Sequence, residues 1–463
     1  MNIQLKISGL HHQVLIEHLL PKDGQEAIAV GLCGRFVSRE DVIFTLHDLT
    51  LIPHNECYSR GEDILVWPTN RVFPYFERIG KSDLALLKIH SHPGGFREFS
   101  KTDDISDREF FDSAFGWSSN DKAHASAVML PGGEIFGRSF FPDLHYERIN
   151  KVTIVGDQVD FFQQEVLGEQ AEFAKRTIQT FGEYTFSKLR QLKVGVVGCS
   201  GTGSPVIEQL VRLGVSRLVL VDPDKVEEKN LNRILNTTKA DADATRSKVE
   251  VLADAIKRIG IGTEVTTFAK NLYDDVKTLR ALAACDVIFG CMDSVDGRHI
   301  LNQLCSFYLI PYFDLGVKLE ANGLGGINKI CGSVHYLQPG KSSLITRNLY
   351  TIDDLKAASQ LRKNPEEYAS LLKNSYIKNI NVSSPAVISV NMNIASHAVN
   401  EFLNRIHLYK SENSANYAVS TIDITEGYIV NGKEGDFPVD DYLRKKLGRG
   451  DMIPFIEMSE LML

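Results

Sequence analysis

The chain of 463 residues has seven cysteines, at 33, 57, 199, 285, 291, 305 and 331, odd in number, scattered and without a C-x-x-C pair. That pattern excludes a disulfide framework and a four-cysteine zinc site. None falls after Cys331. Basic blocks are missing too: 51 basic against 59 acidic residues give a net charge of −8 with no Lys/Arg cluster, which argues against a nucleic-acid or anionic-membrane surface. No apolar run is long enough to span a bilayer. The start, M-N-I-Q-L-K-I-S-G-L-H-H, lacks the apolar core of a signal peptide, so a cytoplasmic location is expected. What remains is a globular composition, 43% hydrophobic and 24% charged, in a chain longer than one core usually serves. Two domains are expected.

The stretch K-V-G-V-V-G-C-S-G-T-G-S from Lys193 organises the chain. A strand over Val194–Val197 runs into Gly198, Gly201 and Gly203, a helix follows, and a second strand over Leu218–Val221 ends on Asp222. That is the layout of a nucleotide-binding βαβ unit, with phosphates on the helix N-terminus and Asp222 or Asp224 accepting from ribose hydroxyls. The turn is G-x-x-G-x-G, not G-x-G-x-x-G, and N-L-N-R follows, bringing Asn230 and Arg233 toward the phosphates. The combination resembles the adenylating domain of the ThiF/MoeB and ubiquitin-activating enzymes, from about Arg176 to about Ile406. The resemblance implies ATP rather than NAD. It also implies phosphate contacts from Lys248, in the helical run T-R-S-K-V-E-V-L-A-D-A-I-K-R-I, and a Mg²⁺ ligand in Asp293, just past the strand D-V-I-F-G. Arg233 and Lys248 would then stabilise charge on the transferring phosphates, and Mg²⁺ would bridge anions that otherwise repel. Arg176 would reach the ATP of a second subunit in a homodimer; read from the residues alone, it is equally an ordinary solvated arginine.

Upstream, L-A-L-L-K-I-H-S-H-P-G-G-F-R-E-F-S-K-T-D-D ends a buried-looking strand with His90 and His92 two apart, on one face, where two imidazoles can share Zn²⁺. Asp103 closes a third position and leaves the fourth for water. The spacing matches the JAMM signature of the JAB/MPN metalloproteases that cut ubiquitin-like proteins from their targets. The resemblance implies that Glu26 is the general base and that Ser100 holds the intermediate or orients the water; Ala29 stands where that family usually has Gly. His11, His12, His47 and His54 read as surface or packing residues, and Asp104, Asp107 and Glu109 as a solvated helix start.

The fold expected is α/β: a JAB/MPN α+β domain over residues 1–150, a helical lead-in over 151–190 with Phe173, Ile178 and Phe181 on its apolar face, a Rossmann-like ThiF-type domain over 191–410 and an extension over 411–463. Asp296 and Asp314 are expected at the surface or in turns, Cys199 as filler, and Cys331 packed in an alternating strand. The segment after residue 341 reads as a crossover loop, followed by a long helix with Pro385 near its start, Met392 in its core and His397 on its surface. The apolar end Met458–Leu463 is expected to dock.

The expected activity is ATP-dependent adenylation of the C-terminal carboxylate of a ubiquitin-like protein, joined to an isopeptidase that trims or removes it. A conjugating enzyme would be a partner. By analogy, the setting is a bacterial pathway that extends to phage defence. The rivals are a zinc-free JAMM domain serving as a binding scaffold, and a sulfur-carrier enzyme. With no thiol after residue 331, no thioester is expected on the crossover loop; Ser375, Ser383 and Ser384 offer only hydroxyls there.

Overall fold

The computed structural model describes residues 1–118, 120–163, 172–322, 324–373 and 387–453. Pro385, Ser375, Ser383, Ser384 and the segment Met458–Leu463 lie outside them. The chain forms two units: Met1–Gln164 with Ser306–Leu309 and Tyr442–Ile453, and the remainder. Among the described residues no helix is long and apolar enough to cross a membrane.

The first unit is built on a nine-stranded mixed sheet whose middle is the neighbouring strands Asp41–Leu51, Ile28–Val37 and Ala85–Ser91. Alternate residues of each central strand enter opposite cores. Ala29, Cys33, Leu87 and Ile89 pack with Leu15 and Leu19 of the helix Gly9–Leu19. Ile28, Val30, Leu32 and Leu86 pack with Phe76 and Ile79 of one helix and Phe110 and Phe111 of another. Burial on both faces is why A-L-L-K-I reads as a continuous apolar run and not as an alternation. The 411–463 extension is not one piece. The unit draws its end from residues 442–453: Thr45 Oγ1 donates to Gly448 O at 2.8 Å, and a Cβ on Gly34 would stand 2.3 Å from Gly450 N.

The second unit is an eight-stranded sheet in the order Glu264–Phe268, Arg217–Val221, Lys193–Val197, Val287–Gly290, Tyr312–Ala321, Ile327–Leu337, Val419–Asp423, Tyr428–Gly432. The first five strands are parallel and the last three antiparallel. The strand order reverses between Lys193–Val197 and Val287–Gly290, and a crevice opens at the carboxyl ends of strands at such a point. The helix Ile388–Ile406 packs on Gly203–Arg212 and the strands beside it through Ile394, Ala395, Ala398 and Phe402. Met392 on that helix is 42% exposed, not core, because it borders an open groove with Ile422, Tyr428 and Ile429, and His397 is half-buried.

The lead-in helix Lys175–Gln191 buries Thr185, Lys188 and Leu189, while of the expected face Ile178 and Phe181 are only half-buried, Phe181 edge-on to His407, and Phe173, ahead of the helix, is exposed. Gly182, at φ 80°, breaks the helical path, so residues before and after it do not share one periodicity. Among its described residues the crossover segment carries the helices Ile352–Lys363 and Pro365–Lys373.

Candidate functional sites

In the first unit, His90 and His92 stand at the end of Ala85–Ser91 and Asp103 in the first turn of Lys101–Trp117. His90 Nε2 lies 3.1 Å from His92 Nε2 and 3.0 Å from Asp103 Oδ1; His92 Nε2 lies 3.4 Å from Asp103 Oδ2. Ligands on a tetrahedron with arms of about 2.0–2.1 Å sit roughly 3.3 Å apart, so the three donors are spaced as one Zn²⁺ requires. His92 Nδ1 and Phe96 O are 2.8 Å apart, a bond that makes Nδ1 the donor and leaves Nε2 its lone pair. Glu26, Oε1 3.9 Å from His92 Nε2, completes a buried cluster with both histidines. Its backbone is fixed by Gly61 O, 2.8 Å from Glu26 N, and by Arg60 Nε donating to Glu26 O at 2.9 Å.

The electrostatics divide the carboxylates. Burial pushes Glu26 up to about 7 and Asp103 adds to this, against His92. Burial also works on Asp103, but its contacts with His90 and His92 hold it well below the usual carboxylate range. One acid is a poised proton acceptor and the other a fixed anion. Ser100 is the N-cap: its Oγ accepts from Asp103 N at 3.1 Å, and Asp103 Oδ2 accepts from Ser100 N at 2.7 Å. Asp107 is not solvated. It is wholly buried, 2.8 Å from Lys88 Nζ and 2.7 Å from Arg138 Nη2, because one helical turn places it under Asp103 and facing the sheet.

In the second unit a cavity of about 1180 Å³ opens at the sheet's switch point. Gly198, Gly201, Asp222, Asp224, Asn230, Arg233, Lys248 and Asp293 all line it. Gly198 has φ +89°, and a Cβ there would lie 2.6 Å from Cys291 O; one on Gly203 would lie 1.8 Å from Gly198 O. These glycines permit the turn that aims the helix Gly203–Arg212 at the cavity. Asp222 spends its carboxylate on the turn, accepting from Cys199 N at 2.7 Å and Asp224 N at 2.9 Å. Asp224 is the exposed one of the pair, and Lys248 Nζ lies 2.7 Å from it. Asn230 is buried, Arg233 half-buried and Asp293 exposed. Arg176 is exposed on the lead-in helix, bonded to Gln179, and does not line the cavity.

Two expectations fail here. Asp314 is fully buried in Tyr312–Ala321, accepting from Tyr312 Oη at 2.6 Å and 3.2 Å from Arg298 Nε, because the strand is central and both its faces are covered. Asp296 is also buried, 2.7 Å from Arg362 Nη1. Cys331 is half-buried and lines the cavity. Sequence reasoning missed Arg298, His335 and Asn391 in the wall. Only Arg298 had a signal, closing C-M-D-S-V-D-G-R one turn after Asp293.

The ThiF family model matches residues 174–427, more than half of the chain. The chain belongs to the ThiF family. This ThiF-family chain is 29% identical over 169 residues to ubiquitin-like modifier-activating enzyme 5 of Culex quinquefasciatus, covering 34% of this chain and 40% of that protein. It is 26% identical over 208 residues to the Aedes aegypti protein of the same name, covering 42% and 50%. It thus spans half or less of the length of these relatives. Among solved structures, E. coli MccB with ATP aligns with a TM-score of 0.44 at 19% identity, over 58% of this chain and 74% of that one. PaaA aligns at 0.43 and 18%, over 60% and 77%. The cluster around His90 lies outside the span of the family model.

Proposed function

We propose that this chain adenylates the C-terminal carboxylate of a ubiquitin-like protein with ATP, and that its first unit is a JAMM-type peptidase that processes or removes the same modifier. The observation that carries the first half is the meeting, in one cavity at the switch point, of the glycine turn with Asn230, Arg233, Lys248 and Asp293. The turn and helix N-terminus receive phosphates, Asp224 faces the ribose, and Arg233 with Lys248 neutralises the triphosphate. A carboxylate oxygen of the substrate attacks the α-phosphorus, the bond to the bridging oxygen breaks, and pyrophosphate leaves. Asp293 would hold Mg²⁺, which would supply the charge screening that two anions need to approach. The names of the relatives, ubiquitin-like modifier-activating enzymes, support the class of substrate.

The second half rests on the donor set His90, His92 and Asp103 with Glu26 beside it. Zn²⁺ there would acidify a water, and Glu26 stands in reach to take its proton. A homodimer with Arg176 serving the neighbouring site, a conjugating enzyme as acceptor, a cytoplasmic location and a role in phage defence complete the proposal.

The test is purification of the full chain, zinc analysis, and ATP–pyrophosphate exchange with a ubiquitin-like protein bearing a free C-terminal glycine. Exchange that disappears when the same protein carries a C-terminal amide is expected. Cleavage of a modifier fusion without zinc in the protein would remove the peptidase reading.

A further inference from the structure

Arg362 sits on the helix Ile352–Lys363, in the crossover segment. Its guanidinium is largely buried, donates from Nη1 to Asp296 Oδ2 at 2.7 Å, and lies 4.0 Å over the Tyr273 ring. Each of those partners adjoins the cavity. Tyr273 follows Lys270, Asn271 and Leu272, which line it. Asp296 lies in the first turn of the helix Val295–Tyr308, just after the loop that carries Asp293 and Ser294, and its Oδ1 accepts from the N–H of Gly297, another lining residue. That turn packs on the loop before it: a Cβ on Gly297 would stand 2.2 Å from Met292 Sδ and 2.5 Å from Ser294 Oγ. A shift of Asp296 therefore moves the backbone that presents Asp293.

Stability is a poor explanation for this arrangement. Among the described residues, Nε and Nη2 of Arg362 are buried without a hydrogen-bond partner, and a buried ion pair with unsatisfied donors gains little over an apolar packing of the same volume. What the pair does supply is geometry, since one planar cation fixes the Tyr273 loop and the first turn of Val295–Tyr308 at once.

We propose that Arg362 is a positioning residue for the nucleotide site, latching the crossover helix to the Tyr273 loop and to the first turn of Val295–Tyr308 at Asp296, so that Asp293 and the wall at Leu272 keep their places. This rests on the reading of the cavity as the Mg·ATP site. Removing Arg362 alone leaves Asp296 as an uncompensated buried carboxylate three residues from Asp293, free to draw the cation out of place.

The test uses the full chain as Arg362→Ala, Arg362→Lys, Asp296→Asn and the double variant Arg362→Ala/Asp296→Asn. Calorimetry measures Mg·ATP binding, and a MgCl₂ titration follows it at fixed ATP. Arg362→Ala is expected to weaken binding by about tenfold, the size of coupling seen within one ion-pair network, and to raise the half-saturating Mg²⁺ concentration. The double variant is expected to recover most of the loss, and Lys, which cannot stack and donate as a plane, only part. Unchanged binding and Mg²⁺ dependence in folded Arg362→Ala, or a double variant no better than that single one, would overturn the latch. Should Arg362→Ala fail to fold, Arg362→Lys and Asp296→Asn decide by the same two readouts. Wild-type protein that binds no Mg·ATP would overturn the reading of the cavity, an outcome distinct from normal wild-type binding with unaffected variants.

Discussion

Ser100 and Asp103 hold each other by reciprocal hydrogen bonds of 2.7 and 3.1 Å, and the Asp103 oxygen that accepts from Ser100 N also faces His92 Nε2 at 3.4 Å. The helix cap and the ligand cluster therefore share one carboxylate. Ser100→Ala should cost about 0.5–2 kcal/mol of stability, as loss of a cap does, and weaken zinc binding by about 10–100-fold through the freed Asp103. Competition against a chromophoric chelator measures it. Lost cleavage at wild-type zinc affinity would instead assign the hydroxyl to the reaction.

His90→Ala and Asp103→Ala should each abolish zinc binding and cleavage of a modifier fusion, while pyrophosphate exchange continues, since the residues proposed for adenylation lie in the other unit. Glu26→Gln should behave differently, retaining zinc while turnover falls by about 10²-fold or more, because a proton acceptor and not a ligand is gone. Metal analysis beside the cleavage rate separates the two classes; zinc lost from Glu26→Gln would mean that Glu26 is a ligand.

Asp107→Ala should destabilise the protein by about 3–5 kcal/mol, because Lys88 and Arg138 would be left buried around a missing anion. Despite burial, Lys88 and Arg138 hold the Asp107 carboxyl below its ordinary range. A depressed folded-state value stabilises above the unfolded-state value of about 3.9 and is lost as pH falls through the folded one. Urea unfolding between pH 5 and pH 3 should therefore show a shallower decline for Asp107→Ala than for the wild type.

Cys331 is the one thiol of the last 133 residues and lines the cavity, yet it sits in the strand Ile327–Leu337, paired with Lys318 and Asp423 on either side. A side chain held in a central ladder cannot swing to an acyl-adenylate, so no thioester should form on this chain. Products of ATP and modifier run with and without reductant check this. A reductant-sensitive adduct lost in Cys331→Ala would contradict it.

Much of the candidate site was legible because its chemistry is local in sequence. H-S-H and the S-x-x-D cap lie within fourteen residues, and the glycine turn precedes its helix directly, so spacing alone placed His90, His92, Asp103, Gly198 and Gly203. What stayed hidden depends on packing between distant segments. Asp107, Asp296 and Asp314 looked solvated because their partners Arg138, Arg362 and Arg298 are 31, 66 and 16 positions away in sequence. The misread lead-in face has a local cause, in that a single left-handed glycine, Gly182, resets the helical period. The return of residues 442–453 to the first unit had no pattern to announce it, since close approach at Gly34 and Gly448 is a property of two backbones.

The central claim is that ATP is cleaved at its α-phosphorus by a polypeptide carboxylate. Incubation of the full chain with Mg²⁺, hydroxylamine as trap, and ATP labelled at either the α- or the γ-phosphate, with a small ubiquitin-like protein ending in Gly-Gly as substrate, tests it directly. The expected products are AMP, labelled pyrophosphate and a C-terminal hydroxamate, none of them formed by Asp293→Ala. Formation of ADP and phosphate instead, or AMP release that Asp293→Ala leaves unchanged, would contradict it.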